Sequence, residues 1–279
     1  MSLKLMYITN RPDVAEIAQA AGVDRIFIDK EYIGKELRQK GMNTVQSHHS
    51  IEDIVQVRKV VKSAELLVRC NPIHDETDAY SSSEDEIDRI IKAGADIIML
   101  PFFKTAEEVR RFIAAVGGRV KTMLLLETPE AVGVLDEILS IPGIDEIHVG
   151  LNDLSIGYGL KFLFEPLANG TIDMLTEKIR RKEIPFGFGG IASLGKGMLP
   201  SEYVIMEHYR LGSGCVILSR SFCNVSTIDD NEEIRQIFTQ GVSTIRRFKE
   251  ECSGRQEVFE ANRKRVCEIV EQIVGSVVI

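Results

Sequence analysis

The sequence predicts a TIM (β/α)8 barrel with an extra C-terminal helix, class α/β. Short β-branched, nearly continuous apolar runs alternate with amphipathic segments along almost the whole chain. Eight such runs can be placed, and no Gly/Ser-rich linker or shift in composition divides them. Continuous rather than alternating apolar character is what parallel strands buried on both faces require. A length of 279 residues suits one barrel plus an appendage, and 44% apolar residues are ample for its core. A doubly wound open sheet is the structural alternative, but no glycine fingerprint follows the first run.

The eight expected strands are Leu3 to Ile8, Arg25 to Ile28, Glu65 to Cys70, Asp96 to Leu100, Lys121 to Glu127, Glu146 to Leu151, Ile184 to Phe188 and Cys215 to Ser219. Helices are expected over Pro12 to Ala21, Ile51 to Val61, Ser83 to Lys92, Ala106 to Ala115, Pro129 to Leu139 and Pro200 to Arg210. Pro129 and Pro200 suit a first helical turn, where a missing N–H costs nothing. Gly22, Gly94 and Gly143 follow helical patterns or precede strands, where a left-handed residue is useful. The eighth helix runs from about Glu232 to Lys249, with Ile234, Ile237, Phe238, Val242, Ile245 and Phe248 on one face. The barrel thus occupies residues 1–252. A helical extension over 253–279 carries Val258, Phe259, Asn262, Val266, Ile269, Val270, Ile273 and Val274 at helical spacing. This stripe covers either the barrel's own surface or a neighbouring subunit, and the second case implies a homo-oligomer.

A formal charge of −8 and the lack of a basic run give no field for a nucleic-acid backbone, so nucleic acid is excluded as an expected partner. No apolar stretch reaches the ~18 residues that could span a bilayer, so no membrane association is expected. Met1 leads directly into a strand without a secretion signal, and a cytoplasmic location is expected. Five widely spaced cysteines, Cys70, Cys215, Cys223, Cys252 and Cys267, fit neither a disulfide framework nor a C-x-x-C metal site.

Reactive groups of such a barrel stand at the C-terminal ends of strands. Those positions hold Asp29 and Glu31 after strand two, Arg69 ending strand three, Glu127 ending strand five, and Asn152 and Asp153 after strand six. Glu127 and Asp153 lie on adjacent strands, where two carboxylates can grip one hard cation from one side and leave its other positions for water and substrate. The alternative for each is a cap on the helix that follows. Arg69 points into a mouth that holds carboxylates. It either forms a buried ion pair with Glu127 or Asp29, or faces an oxygen on which negative charge develops. His48 and His49, adjacent in a loop after strand two, are candidates for acid–base work, against solvated or capping roles. His74 stands in the loop after strand three. His148, inside strand six, is expected as a core or inter-element residue, and His208 lies late on the seventh helix; neither is taken as a site candidate. The glycines at Gly187 to Gly190 and Gly195 to Gly197 suggest a loop after strand seven that holds phosphate or a nucleotide on backbone N–H groups, or serves only as a tight turn.

Leu67 to Pro72, Gly94 to Pro101, Glu127-Thr128 and Gly150-Leu151-Asn152-Asp153-Leu154-Ser155 occur in an order that resembles the HpcH/HpaI aldolase and citrate lyase beta-subunit family. The resemblance implies Mg2+ or Mn2+ on Glu127 and Asp153, with the oxygens of a keto acid such as pyruvate or oxaloacetate completing the shell. It implies that Arg69 faces the enolate oxygen, that Gly150, Leu151 and Asn152 hold the substrate carboxylate, and that Asp29 stands near the metal's waters. It also implies a C-terminal helix packed on a partner subunit. Two positions depart from the family pattern. Family aldolases carry a histidine just after the acidic residue of strand two, whereas this chain reads Asp29-Lys30-Glu31-Tyr32, which turns attention to His48 and His49. They also carry a glutamine two residues before the metal glutamate, where this chain has Leu125, and this tilts the comparison toward citrate lyase.

The resulting expectation is a metal-dependent carbon–carbon lyase acting through an enolate. The alternatives are a lyase of citryl- or malyl-CoA thioesters, phosphoryl transfer involving phosphoenolpyruvate, and a barrel that binds a keto acid without catalysis.

Overall fold

The computed structural model describes residues 3–35, 49–252 and 256–276. Its eight strands are β1 (Lys4–Ile8), β2 (Arg25–Asp29), β3 (Glu65–Arg69), β4 (Ile97–Leu100), β5 (Lys121–Leu126), β6 (Glu146–Val149), β7 (Phe186–Ile191) and β8 (Cys215–Leu218). They pair in sequence order, all parallel, and β8 closes on β1. The helices that wrap them are α1 (Pro12–Ala20), α2 (Ile51–Val60), α3 (Ser83–Lys92), α4 (Ala106–Val116), α5 (Pro129–Gly133), α6 (Leu135–Ile138), α7 (Leu151–Gly157), α8 (Glu165–Ala168), α9 (Thr171–Arg181), α10 (Ser201–Leu211) and α11 (Asn231–Cys252). The extension is α12 (Gln256–Ser276).

Along each strand, alternate residues face the lumen or the helices. Met6, Phe27, Leu67, Ile97, Met99, Met123 and Leu125 fill the lumen, so the barrel interior is a packed core. The outward residues, such as Ile26, Ile28, Leu66, Val68 and Ile98, join the helices' apolar stripes in a second, larger core. Local sequence supports the helix ends. Ser50 with Asp53 and Thr105 with Glu108 form capping boxes before α2 and α4. Gly22, Gly94 and Gly143 all have positive φ, as a left-handed residue requires.

Three expectations need correction. The single helix over Pro129 to Leu139 is two, because Val134 leaves helical geometry at φ −112° and ψ 19° just after Gly133, a poor helix former. Pro200 precedes its helix as the N-cap rather than entering it. Gly187 to Gly190 belong to β7, not to a loop, and the register with β8 shifts between Gly187 and Gly190. A Cβ on Gly187 would lie 2.3 Å from both the carbonyl oxygen and Sγ of Cys215, so that glycine serves strand packing. In the loop that follows, the Gly195 N–H donates to the Glu202 carboxylate at 2.9 Å, and a side-chain anion thus stands where phosphate was expected.

The C-terminal stripe covers the barrel itself. Val266 and Val270 are buried, with Ile269, Ile273 and Val274 packed partly against the main core. Asn262 donates to the Tyr203 carbonyl at 3.1 Å and to Glu207 at 2.8 Å, which ties α12 to α10.

Candidate active site

The C-terminal ends of the strands open on a cavity of about 240 Å³ whose wall includes Lys35, Arg69, Glu127, His148, Gly150 and Asp153. Strand register assembles it. Asp29 and Arg69 are direct partners across β2 and β3. Arg69 donates from Nε to Asp29 at 2.8 Å and from Nη2 at 2.7 Å, and its Nη1 lies 3.3 Å from Glu31. Lys35 approaches the same two carboxylates, with Nζ 2.9 Å from Asp29 and 3.4 Å from Glu31. Asp29, Glu31 and Lys35 are all buried. Burial opposes ionisation of Asp29, but Arg69 and then Lys35 outweigh it and hold the carboxyl well below the usual range.

Glu127 follows β5, and Gly150 follows β6 on the facing strand. One Glu127 oxygen accepts the Phe102 N–H at 3.0 Å, and Phe102 adopts the uncommon φ of 48°. Opposite it, a Cβ on Gly150 would come within 2.6 Å of Glu127 Oε2. The glycine is therefore needed for α7 to start so close to the carboxylate. Burial, then Asp153, then Glu31 push the Glu127 carboxyl well above its ordinary value, with Arg69 pulling the other way. The first turn of α7, which carries Leu151, Asn152 and Asp153, has no side-chain cap.

Among the described residues the mouth holds four carboxylates, Asp29, Glu31, Glu127 and Asp153, and two cations, Lys35 and Arg69. Arg69 and Lys35 pair with Asp29 and Glu31, and Asp153 opposes the ionisation of Glu127. Glu127 and Asp153 are hard oxygen donors of the kind a divalent cation would take. Among the described residues no cluster of three or more His, Cys, Asp or Glu side chains offers itself as a complete ligand set, so such an ion would rest on two carboxylates and take its other ligands from water and substrate.

The histidines divide differently from expectation. The His49 Nδ1 accepts the Asp29 N–H at 3.0 Å, and burial lowers its basicity. His49 lies on the adjoining, outer cleft with Arg69 and Asp29 and is absent from the wall of the cavity that holds Glu127. His48 lies outside the described residues. Tyr32 is exposed, with its ring 5.7 Å from that of Tyr80. His74 bonds the Pro72 carbonyl at 2.7 Å and faces Ser83, a loop-fixing role. His208 is a core residue, stacked on Phe188 at 3.8 Å. His148 is buried within β6, as expected, and it also lines the cavity. Its Nε2 meets the Gly189 carbonyl at 3.1 Å, and burial pushes its pKa down to about 4. Sequence reasoning also missed Lys35, which stands in a turn beyond the strand end.

The sequence profile of the HpcH/HpaI aldolase/citrate lyase family matches residues 4–162, more than half of the chain. The chain belongs to this family. The 2-keto-3-deoxy-L-rhamnonate aldolase of Escherichia coli (strain K12) is 25% identical over 177 residues, 52% of this chain and 58% of that protein. The chain therefore matches less than two thirds of that relative's length. An HpcH/HpaI aldolase from Desulfitobacterium hafniense DCB-2 superposes with a TM-score of 0.60 at 17% identity, covering 88% of this chain and 93% of that one. The citrate synthase SbnG superposes with a TM-score of 0.59 at 16% identity, covering 89% of this chain and 95% of that one. At such identities the two likenesses speak for a shared barrel. The family match spans β1 to α7, and so includes Asp29, Arg69, Glu127 and Asp153. Among the described residues no helix is long and apolar enough to cross a membrane.

Proposed function

We propose that this family member is a carbon–carbon lyase that makes or breaks the bond beside the carbonyl of a pyruvate-like keto acid, with Mg2+ or Mn2+ on Glu127 and Asp153. The observation that carries the reading is the buried Glu127 carboxylate, gripped by a backbone N–H and placed near enough to Asp153 on the next loop for that second carboxylate to oppose its ionisation. A cation between two such carboxylates lowers that cost. When bound, the divalent ion supplies a Lewis acid for the keto acid's oxygens.

The chain's own groups do the rest. Arg69, its fork fixed by Asp29 and Glu31, faces the cavity and stabilises negative charge on the enolate oxygen. The uncapped N–H groups of Leu151 and Asn152, beside Gly150, hold the substrate carboxylate. Leu125 and Met99 make that wall apolar and exclude water from the enolate. The relatives' names, an aldolase and a citrate synthase, both denote carbon–carbon bond chemistry. Pyruvate or oxaloacetate is the keto acid we favour. A CoA thioester partner loses its sequence basis, since the expected glycine loop is a strand and its continuation holds Glu202. Partly covered Ile269, Ile273 and Val274 on α12 leave room for a homo-oligomer in this proposal.

The test is deuterium exchange into the methyl group of pyruvate, which needs an enolate and no knowledge of the second substrate. Exchange should require Mg2+ or Mn2+, cease with EDTA and return on adding metal. Asp153→Asn should lose metal binding and exchange while keeping the far-UV spectrum of the barrel. Undiminished exchange by Asp153→Asn in metal-free buffer would overturn the site, and a wild type with neither exchange nor oxaloacetate cleavage would leave a binding barrel instead.

A further inference from the structure

Among the described residues of the segment after β2, one titratable side chain reaches the cavity wall. Lys35 is 4% exposed, sits on the turn closed by its own N–H to the Tyr32 carbonyl at 3.2 Å, and shares the cavity wall with Arg69, Glu127 and Asp153. Arg69 keeps its proton at any working pH. His148 presents Nε2 to the Gly189 carbonyl and Nδ1 to Cys215 Sγ at 3.7 Å, so neither nitrogen faces a substrate. Among the described residues of this wall, leaving aside the two carboxylates assigned to the cation, Lys35 is the group able to exchange a proton.

Resting on the lyase reading above, we infer that Lys35 is a catalytic residue that carries the proton to and from C3 of the keto acid. In the cleavage direction the C3–C4 bond breaks, and its electron pair becomes the C2–C3 double bond of the enolate. The enolate's C2–C3 pair then takes a proton from Nζ, forming the third C–H bond of the methyl group and restoring the C2 carbonyl. The lysine amine regains a proton from solvent, equal to the one the C4 hydroxyl releases there. Enolisation of pyruvate is the reverse: the neutral amine takes a C3 proton, the C–H pair forms the double bond, and the carbonyl pair moves onto the oxygen that faces Arg69.

The surroundings of Lys35 include a second, permanent cation for the same carboxylates. Asp29 accepts one hydrogen bond from Nζ and two from Arg69, and Glu31 lies in ion-pair range of both, so both carboxylates stay compensated in part by the permanent charge of Arg69 when Lys35 gives up its proton. Among the described residues, Glu127, Asp153 and His148 are the other titratable groups on the cavity wall with Arg69, and His49 bonds the Asp29 N–H. The ion-paired geometry is the proton-loaded state that cleavage consumes.

Arginine separates proton transfer from charge. Lys35→Arg keeps a cation beside Asp29 and Glu31 but cannot release a proton. It should lower metal-dependent methyl exchange of pyruvate by on the order of 100-fold or more, a usual contribution of one acid–base group. Pyruvate affinity in the presence of Mg2+, measured by calorimetry, should change less than threefold. In Lys35→Ala, added ethylamine should restore exchange in proportion to its concentration, and this holds even if the arginine variant folds poorly. Lys35→Arg exchanging within about threefold of the wild type, or Lys35→Ala with lost exchange that no amine restores, would overturn the inference and leave the lyase reading intact. A wild type without metal-dependent exchange would overturn both.

Discussion

The two ends of the barrel each contain an arginine among carboxylates, and they are charged in opposite senses. At the N-terminal end Arg25 is wholly buried, donating to Glu146 at 2.7 Å and to Glu65 at 2.8 Å, with Lys121 2.6 Å and Lys4 3.7 Å from Glu65. Three cations there meet two carboxylates. At the C-terminal mouth, among the described residues, two cations meet four. Two glutamates register the difference. Burial raises both, but Lys121 and Arg25 bring Glu65 down to about 2, whereas Asp153 and Glu31 add to the rise at Glu127. Around Glu65 the neighbouring charges favour the carboxylate, while around Glu127 the neighbouring carboxylates oppose it and Arg69 favours it. A buried ion pair alone is thus poor evidence of function, and an excess of one sign is better.

The largest effect expected from this contrast is on stability. Arg25→Met leaves Glu146 buried without its fork and should cost roughly 3–5 kcal/mol in urea unfolding, the usual result of removing one partner of a buried pair. Metal-dependent exchange of the folded fraction should not change. Loss of exchange without loss of stability would erase the distinction between the two ends.

The matching change at the mouth should act on turnover. Arg69→Ala leaves Lys35 to compensate Asp29 and Glu31, so the fold survives, while the enolate oxygen loses its donor. Exchange should fall by on the order of 100-fold to 1,000-fold, as for loss of one oxyanion donor, with metal affinity nearly unchanged. Arg69→Lys should recover only part of this, because a compact ammonium cannot reproduce the planar fork. Equal exchange in wild type and Arg69→Ala would make Arg69 a structural partner like Arg25.

Much of this was legible in the residues. The barrel could be read because strands buried on both faces must be apolar throughout, and Arg69, Glu127 and Asp153 because charged residues at strand ends interrupt that pattern. Lys35 was not legible, since only the turn from Tyr32 brings a residue six positions past Asp29 back to the cavity. His148 carried a signal that was passed over: Glu146, His148 and Gly150 alternate on one side of β6, and a buried Glu146 already implied that this side faces the lumen. The glycines of β7 misled because close packing against Cys215 and loop flexibility favour the same residue.

His148 lies between the two ends and gives the smallest prediction, one that tests whether the middle layer is neutral. Burial pushes its pKa down to about 4, and His208, also buried, is shifted the same way. In the unfolded chain a histidine takes its proton near pH 6.5. Between that value and about 4 the unfolded state holds the extra proton and the folded state does not. The stabilisation from the neutral ring is therefore complete above pH 6.5 and declines as pH falls toward 4. At pH 5.5 the His148 ring costs about 1.4 kcal/mol, one unit below the unfolded value. Glu65 and Asp13, both held near 2, stay ionised there and contribute no slope. Urea unfolding at pH 7.5 and 5.5 should show the wild type losing more stability than His148→Gln by about that amount. The variant can be weaker at both pH values, since only the difference bears on the ring's charge. An equal loss in both proteins would mean that His148 is protonated inside the barrel, and the layer beneath the mouth would then already carry positive charge toward Glu127 and Asp153.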